Sequence, residues 1–475
     1  MEQRTDLLKD RKVSGSGFGS GFGSVATPGA GSGTSDLVIV SAFGRGNWLA
    51  IELAGRGWKV SLVDVSEKLG EGEPEDAEGP FGLFDSPDLL PSQKNFFNDA
   101  QVLRSGFTVW LPEGPLECRS ELTEFQLKAR GLPPLLGSYL RRPPAARREA
   151  GRERGSLRKQ DYKSVWLAHL AHQLTSPLMK ENQIALDAGE PAPLFSTFAI
   201  RHGERTGWKT GLRACEEKGV KVFVSAGLNS VRMHGRGLDT VEILDPASIG
   251  QSNSQSRTIG ARTFVWMLSS AETEQLSPAV SRHLYPQGPI SEDWFWARYQ
   301  VELGGKVFDE QIPAHVALIS DLFLPWTHAN LLILRKRTGS TAASGSKTAI
   351  DVWLRLPTFA RGELKYFAKI KSEIERALTA KIPFAEPHVV KVPLQTTGPV
   401  RFPIFEKATL GKLKTLRAPN LFFCTVEQSS SQDWLGYFRM QNQIIGRLEK
   451  LKAQWVAAAN RQAQKAEKRA RRAAQ

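Results

Sequence analysis

From residue 37 onward, short runs of apolar residues alternate with polar stretches punctuated by glycine. Leu37-Val38-Ile39-Val40 runs into a turn holding Gly44 and Gly46, and a segment of helical period continues to Arg56. Gly57 then supplies a helix stop, and a second apolar run, Val60 to Val63, ends on Asp64. Continuous apolar strands on either side of one helix predict a β-α-β unit whose strands are buried on both faces.

A second organised block begins near Phe195. Helical spacing over Trp208–Lys218 ends at Gly219, and a strand is predicted at once over Val220–Ser225. Ser230–Met233, the turn His234-Gly235-Arg236-Gly237 and Leu238–Leu244 read as a meander. Thr263–Leu268 predicts a fully buried strand ending at Ser269-Ser270. Farther on, strands are predicted over His315–Asp321, Asn330–Lys336 and Ala349–Leu356, then an amphipathic helix over Gly362–Thr379. Leu421–Cys424 predicts a last short strand, and Trp434–Leu451 a helix that continues into an Ala/Arg/Lys tail.

Composition bounds these elements without changing their order. At 475 residues, with 41% hydrophobic residues, the chain has length for several domains and a large core. Apolar runs are too short for a spanning helix, and the charged N-terminus is not a secretory signal. Three widely separated cysteines, Cys118, Cys215 and Cys424, make neither a disulfide framework nor a zinc knuckle, which predicts a cytoplasmic protein. Ser14–Ser35 is Gly/Ser-rich and reads as part of a flexible leader, residues 1–36. The net charge of +14 gathers in Arg141–Lys163 and Arg461–Arg472. These runs read as solvated faces or as contacts for anionic lipid; without interleaved aromatics they do not indicate specific nucleic-acid binding. His169 and His172 lie three apart but lack a third ligand nearby in sequence, so no metal is expected.

The β-α-β unit carries the candidate chemistry. Such a unit places the phosphates of a dinucleotide at the N-terminus of its helix, and a strand-ending acid accepts the ribose hydroxyls. Asp64 is that acid, 64 − 41 = 23 residues beyond Ser41. Two registers are open for the turn. In one, Ser41, Phe43 and Gly46 take the three glycine positions. In the other, Gly44 and Gly46 make a shorter turn and Arg45 neutralises phosphate charge, or is simply an exposed turn arginine.

The order of elements resembles the flavoprotein superfamily that includes monoamine oxidase, protoporphyrinogen oxidase and phytoene desaturase, and shares its fold with Rab GDP-dissociation inhibitor. The resemblance rests on the first β-α-β, on GLRACEEKGVKVFVS with ARTFVWMLSSAET, and on APNLFFCTVEQSSSQDWLGYFRMQNQIIGRL. It implies an α/β fold, a Rossmann-type FAD/NAD(P)-binding domain with an inserted α+β substrate domain. The dinucleotide-binding domain would comprise residues 37–135, 195–272 and 416–452, with a basic loop and helical insertion at 136–194, the substrate domain at 273–415 and a basic helical tail at 453–475.

FAD is the cofactor so implied, with contacts from Ser41, Phe43, Gly44, Arg45, Gly46 and Asp64. Gly82, in the loop Gly79-Pro80-Phe81-Gly82, stands where the family has a basic loop. Leu228 and Ser269 belong to the second block, Glu427 stands near the family's C-terminal glycine-acid pair, and Gly436 would let helix amides face the flavin. No catalytic base stands out, as expected where flavin carries the redox step. The implied activity is oxidation of a small apolar or amine substrate. The competing expectation is a non-catalytic binding or scaffolding protein of the same fold, and either is compatible with a basic tail resting on an anionic membrane.

Overall fold

Leu37 and Ile39 of the first strand join one buried cluster, and Val38, Val40 and Ala42 join another. A strand with both faces apolar is covered on both sides, and the layers follow from that. The computed structural model describes residues 35–69, 83–84, 90–93, 102–111, 114–115, 196–200, 207–225, 227–244, 256–305, 315–320, 330–336, 348–382, 385–392, 402–405, 407–428 and 434–473. The leader to residue 34, Gly82 with its loop, the basic segment 141–163 and the His169/His172 pair lie outside them.

The strands run in chain order as β1 (Ser35–Ser41), β2 (Val60–Asp64), β3 (Leu83–Phe84), β4 (Val102–Leu111), β5 (Gly114–Pro115) and β6 (Ser196–Ile200). Next come β7 (Lys221–Val224), β8 (Gly227–His234), β9 (Gly237–Leu244), β10 (Ser256–Trp266) and β11 (Trp294–Gly305). The last are β12 (His315–Ile319), β13 (Leu331–Lys336), β14 (Thr348–Pro357), β15 (Ala385–Lys391), β16 (Pro403–Ile404) and β17 (Leu421–Phe423). Helices are α1 (Asn47–Gly55), α2 (Ser66–Leu69), α3 (Gly207–Glu217), α4 (Ser270–Leu276), α5 (Pro278–Leu284), α6 (Leu364–Lys381), α7 (Lys407–Leu410) and α8 (Trp434–Ala473).

The first sheet has the order β7-β2-β1-β10-β9-β8, with β17 also on β10. β7, β2, β1, the second half of β10 and β17 are parallel; the first half of β10 pairs antiparallel with β9. This is a Rossmann-type α/β sheet. The chain leaves β1 toward β2 on one side and returns through β10 on the other, so the strand order reverses between β1 and β10. The predicted stops at Gly57 and Gly219 have positive φ (74° and 80°). Each completes a Schellman cap: Trp58 N–H reaches Leu53 O at 3.1 Å, and Val220 N–H reaches Cys215 O at 3.0 Å.

The second sheet is mixed, in the order β15-β11-β14-β13-β12-β4-β6-β3, with β16 on β11 and β5 on β4. α6 lies on one face through Phe367, Ile370, Ile374 and Leu378 at helical spacing. The predicted strands over 315–321, 330–336 and 349–356 correspond to β12, β13 and β14. Val102–Leu111, assigned by sequence to the dinucleotide-binding part, instead pairs with β12 and β6 in the second sheet. Its apolar run is equally suited to either sheet, and period alone names a face, not a neighbour.

On the other face of the second sheet, Trp296, Ala317, Leu331, Ile333 and Trp353 share a cluster with Trp48 of α1 and Phe438 of α8. α8 is also tied to the first crossover. Lys452 Nζ donates to the Arg56 and Gly57 carbonyls at 3.1 and 3.2 Å, and Trp58 Nε1 donates to Glu449 at 3.2 Å. Beyond Trp455 the helix is exposed on all sides.

Candidate functional site

In an open α/β sheet the ligand crevice lies beyond the carboxyl ends of the strands where the order reverses. Here that place is beyond Ser41 and Trp266. The turn leaving β1 carries Arg45 N–H back to Ala42 O at 3.2 Å, with Phe43 and Gly44 both at positive φ (54° and 72°). Two left-handed central residues are the signature of a type I′ turn, and only the second is glycine. Holding phenylalanine there costs about 1–2 kcal/mol; its N–H donates to Ser66 Oγ at 2.7 Å, and its ring packs against the cluster beneath the sheet.

Gly46 follows as the N-cap of α1. A Cβ on Gly46 would lie 2.9 Å from Ser41 Cβ and 3.0 Å from Ile39 Cγ2. Only glycine lets this helix sit so close to its strand, the part played by the last glycine of a dinucleotide turn.

Arg45 spans the crevice. Its Nε donates to Ala42 O at 3.1 Å and its Nη1 to Met267 O at 3.5 Å, so the guanidinium crosses the ends of β1 and β10. Nη2 and Nη1 meet the two oxygens of Glu272 at 2.5 and 3.1 Å, and Nη1 also reaches the Tyr437 hydroxyl at 3.3 Å. Gln441 Nε2 fixes the Arg45 carbonyl at 2.8 Å. Burial works against both charges of the pair. Glu272 outweighs it to hold Arg45 above its ordinary range, and Arg45 outweighs it to hold the Glu272 carboxyl below its own. Burial pushes the Tyr437 hydroxyl up to about 12, against the pull of Arg45.

Glu272 is placed by a capping box at the start of α4: Ser269 Oγ accepts from Glu272 N, and Glu272 Oε2 accepts from Ser269 N at 2.8 Å. One residue on, Ser270 N donates to Glu427 Oε1 at 2.6 Å. Burial raises the Glu427 carboxyl against that bond, and its second oxygen has no hydrogen-bond partner among the described residues.

Asp64 closes β2 next to Ser41 in register. Its Oδ1 accepts from Ser66 N at 3.1 Å, while Oδ2 is buried with no hydrogen-bond partner among the described residues. Burial pushes this carboxyl up to about 6, against the bonds from Ser66. A buried acceptor left open in this way is complementary to a hydroxyl donor.

One network therefore links Arg45 to Tyr437 and, through Glu272, to Ser269; the next residue, Ser270, bonds Glu427, and Gly436 precedes Tyr437 in sequence. Of the sequence-predicted residues, Ser41, Phe43, Gly44, Gly46 and Asp64 surround its mouth. Leu228 is buried in the apolar cluster that also holds Ala42 and Val65 and packs against Phe43. Of the two expectations for Arg45, the exposed turn arginine is corrected: the side chain is 11% exposed and ion-paired with Glu272. Ser269 is the N-cap of α4. Sequence reading missed Glu272, Tyr437, Gln441 and Ser66. The Ser-x-x-Glu spacing of the capping box was a usable signal for the first; the others had none. Among the described residues no cluster suited to a metal ion occurs, and no helix is long and apolar enough to cross a membrane.

No protein-family model and no curated protein sequence matches this chain. Among solved structures, an oxidoreductase from Methanosarcina mazei aligns with a TM-score of 0.51 at 13% identity, covering 86% of this chain and 99% of that one. Cyclohexylamine oxidase from Brevibacterium oxydans IH-35A gives 0.44 at 14%, covering 88% and 100%. A geranylgeranyl bacteriochlorophyll reductase-like protein from Thermoplasma acidophilum gives 0.42 at 9%, covering 87% and 79%. The Methanosarcina alignment agrees with the topology described above: a Rossmann-type sheet beside a mixed sheet and its helices.

Proposed function

We propose that the chain binds FAD across the carboxyl ends of β1, β2 and β10 and acts as an FAD-dependent oxidoreductase on a small apolar or amine substrate. The observation that carries the proposal is Asp64, a buried carboxylate at the end of β2 with one oxygen held by Ser66 and the other open. Ribose hydroxyls would satisfy that oxygen, and the close approach at Gly46 brings the first turn of α1 toward the diphosphate. Glu427 offers a second open acceptor for the polyol portion of the cofactor. FAD would supply two-electron redox chemistry there. The chain's part is to bind, to orient and to exclude water, and the apolar cluster joining Trp48 and Phe438 to Trp296 and Trp353 supports the last of these.

An absorption spectrum of purified protein, followed by FAD titration, is the direct test. Colourless protein that takes up no FAD on reconstitution would sink the proposal.

The last turns of α8 support a second contact. Arg461, Lys465, Lys468 and Arg472 recur at helical spacing on an exposed helix. We propose that they rest on an anionic lipid surface.

A further inference from the structure

We infer that the Arg45–Glu272 ion pair is a plug seated in the switch-point crevice, so that a dinucleotide enters only by exchanging its diphosphate for the Glu272 carboxylate. The inference rests on the FAD reading above and adds what guards the site.

The guanidinium bonds Ala42 O and Met267 O, the groups just past the ends of β1 and β10 where the strand order reverses. A ligand bound at a switch point must occupy that crevice, and here the chain's own charges already do. A planar guanidinium accepts a carboxylate or a phosphate through the same forked geometry. A buried guanidinium without any anion is strongly unfavourable, so the protein without cofactor carries its own anion.

The two partners are held differently. Arg45 is anchored by its backbone, through Gln441 on its carbonyl and the turn bond on its N–H. The Glu272 carboxylate accepts from Ser269 N as well as from Arg45, and the Glu272 N–H stays capped by Ser269 Oγ when the carboxylate swings away. Arg45 therefore stays in place while its partner is replaced.

The test is FAD titration of full-length wild type, Glu272→Gln and Glu272→Asp, followed by quenching of flavin fluorescence, with thermal melts confirming folding. Glutamine retains the acceptor needed at this capping-box position, and aspartate withdraws the charge by one methylene. Removing a competitor that holds most of the population closed is expected to tighten FAD binding about tenfold or more in the glutamine variant. The aspartate variant should shift in the same direction. If wild type and both variants bind FAD with equal affinity, or the variants bind more weakly, the plug is overturned and the cofactor assignment survives. Failure of every form to bind FAD removes the cofactor assignment and the plug with it.

Discussion

Two buried regions of this molecule are built on opposite principles. Beneath α6, the second sheet presents Tyr299, Val301, Leu303, Ile350, Val352 and Leu354 to Phe367, Ile370, Ile374 and Leu378, an apolar interior. At the ends of β1, β2 and β10, buried Glu272, Asp64 and Glu427 sit beside partly buried Arg45 and a left-handed phenylalanine, with carboxylate oxygens open among the described residues. Burying charge is expensive relative to burying hydrocarbon. The first region stabilises through apolar burial alone, while the second carries buried charge and open acceptors where the cofactor is proposed to bind.

The largest break in that contrast is expected from Arg45→Met, which strands the buried Glu272 carboxylate. Unfolding in denaturant at neutral pH should show a loss of about 3–5 kcal/mol. Adding Glu272→Gln to that variant should recover part of the loss; no recovery would mean that the pair is not the source. Next, Leu354→Ala beneath α6 should cost about 3 kcal/mol through its cavity while leaving FAD affinity as it was. A change in affinity would show the two regions to be coupled.

Asp64→Asn sharpens the comparison through pH. Burial moves this carboxyl from the ordinary 3.8 to about 6, so the folded state holds its proton more strongly than the unfolded state. Stability from that proton is present below about pH 4 and is lost as pH rises through about 6. Wild type should therefore lose about 2–3 kcal/mol relative to Asp64→Asn across that window. The variant should also bind FAD more weakly, and equal pH slopes in denaturant melts would contradict the role of burial. The smallest effect on the fold is expected on deleting residues 461–475, where stability should stay within about 0.5 kcal/mol. Binding to anionic vesicles at low salt should disappear; unchanged sedimentation would exclude the tail.

The local features of the crossover were legible in sequence because they are short-range. Apolar runs, Gly57 and Gly219 as stops, and Asp64 at the end of a strand all follow from neighbours in the chain. Arg45 and Glu272 are 227 residues apart, and no period or propensity joins residues across that distance. Phe43 was legible as a departure, but that its backbone adopts the glycine conformation all the same was not, because the cost is offset by packing elsewhere. The displacement of Val102–Leu111 into the second sheet has the same cause as the Arg45 correction: pattern specifies which side is buried, and tertiary context selects what covers it.

β1 has two sheet neighbours that become available at very different moments. β2 follows within 20 or so residues, but β10 begins at Ser256, and α8, which clasps the α1–β2 corner through Glu449 and Lys452, comes near the C-terminus. A ribosome therefore exposes an adhesive, half-paired strand for much of translation before its second neighbour exists. For this chain, the yield of correctly folded molecules depends on keeping that edge covered until the late segments arrive.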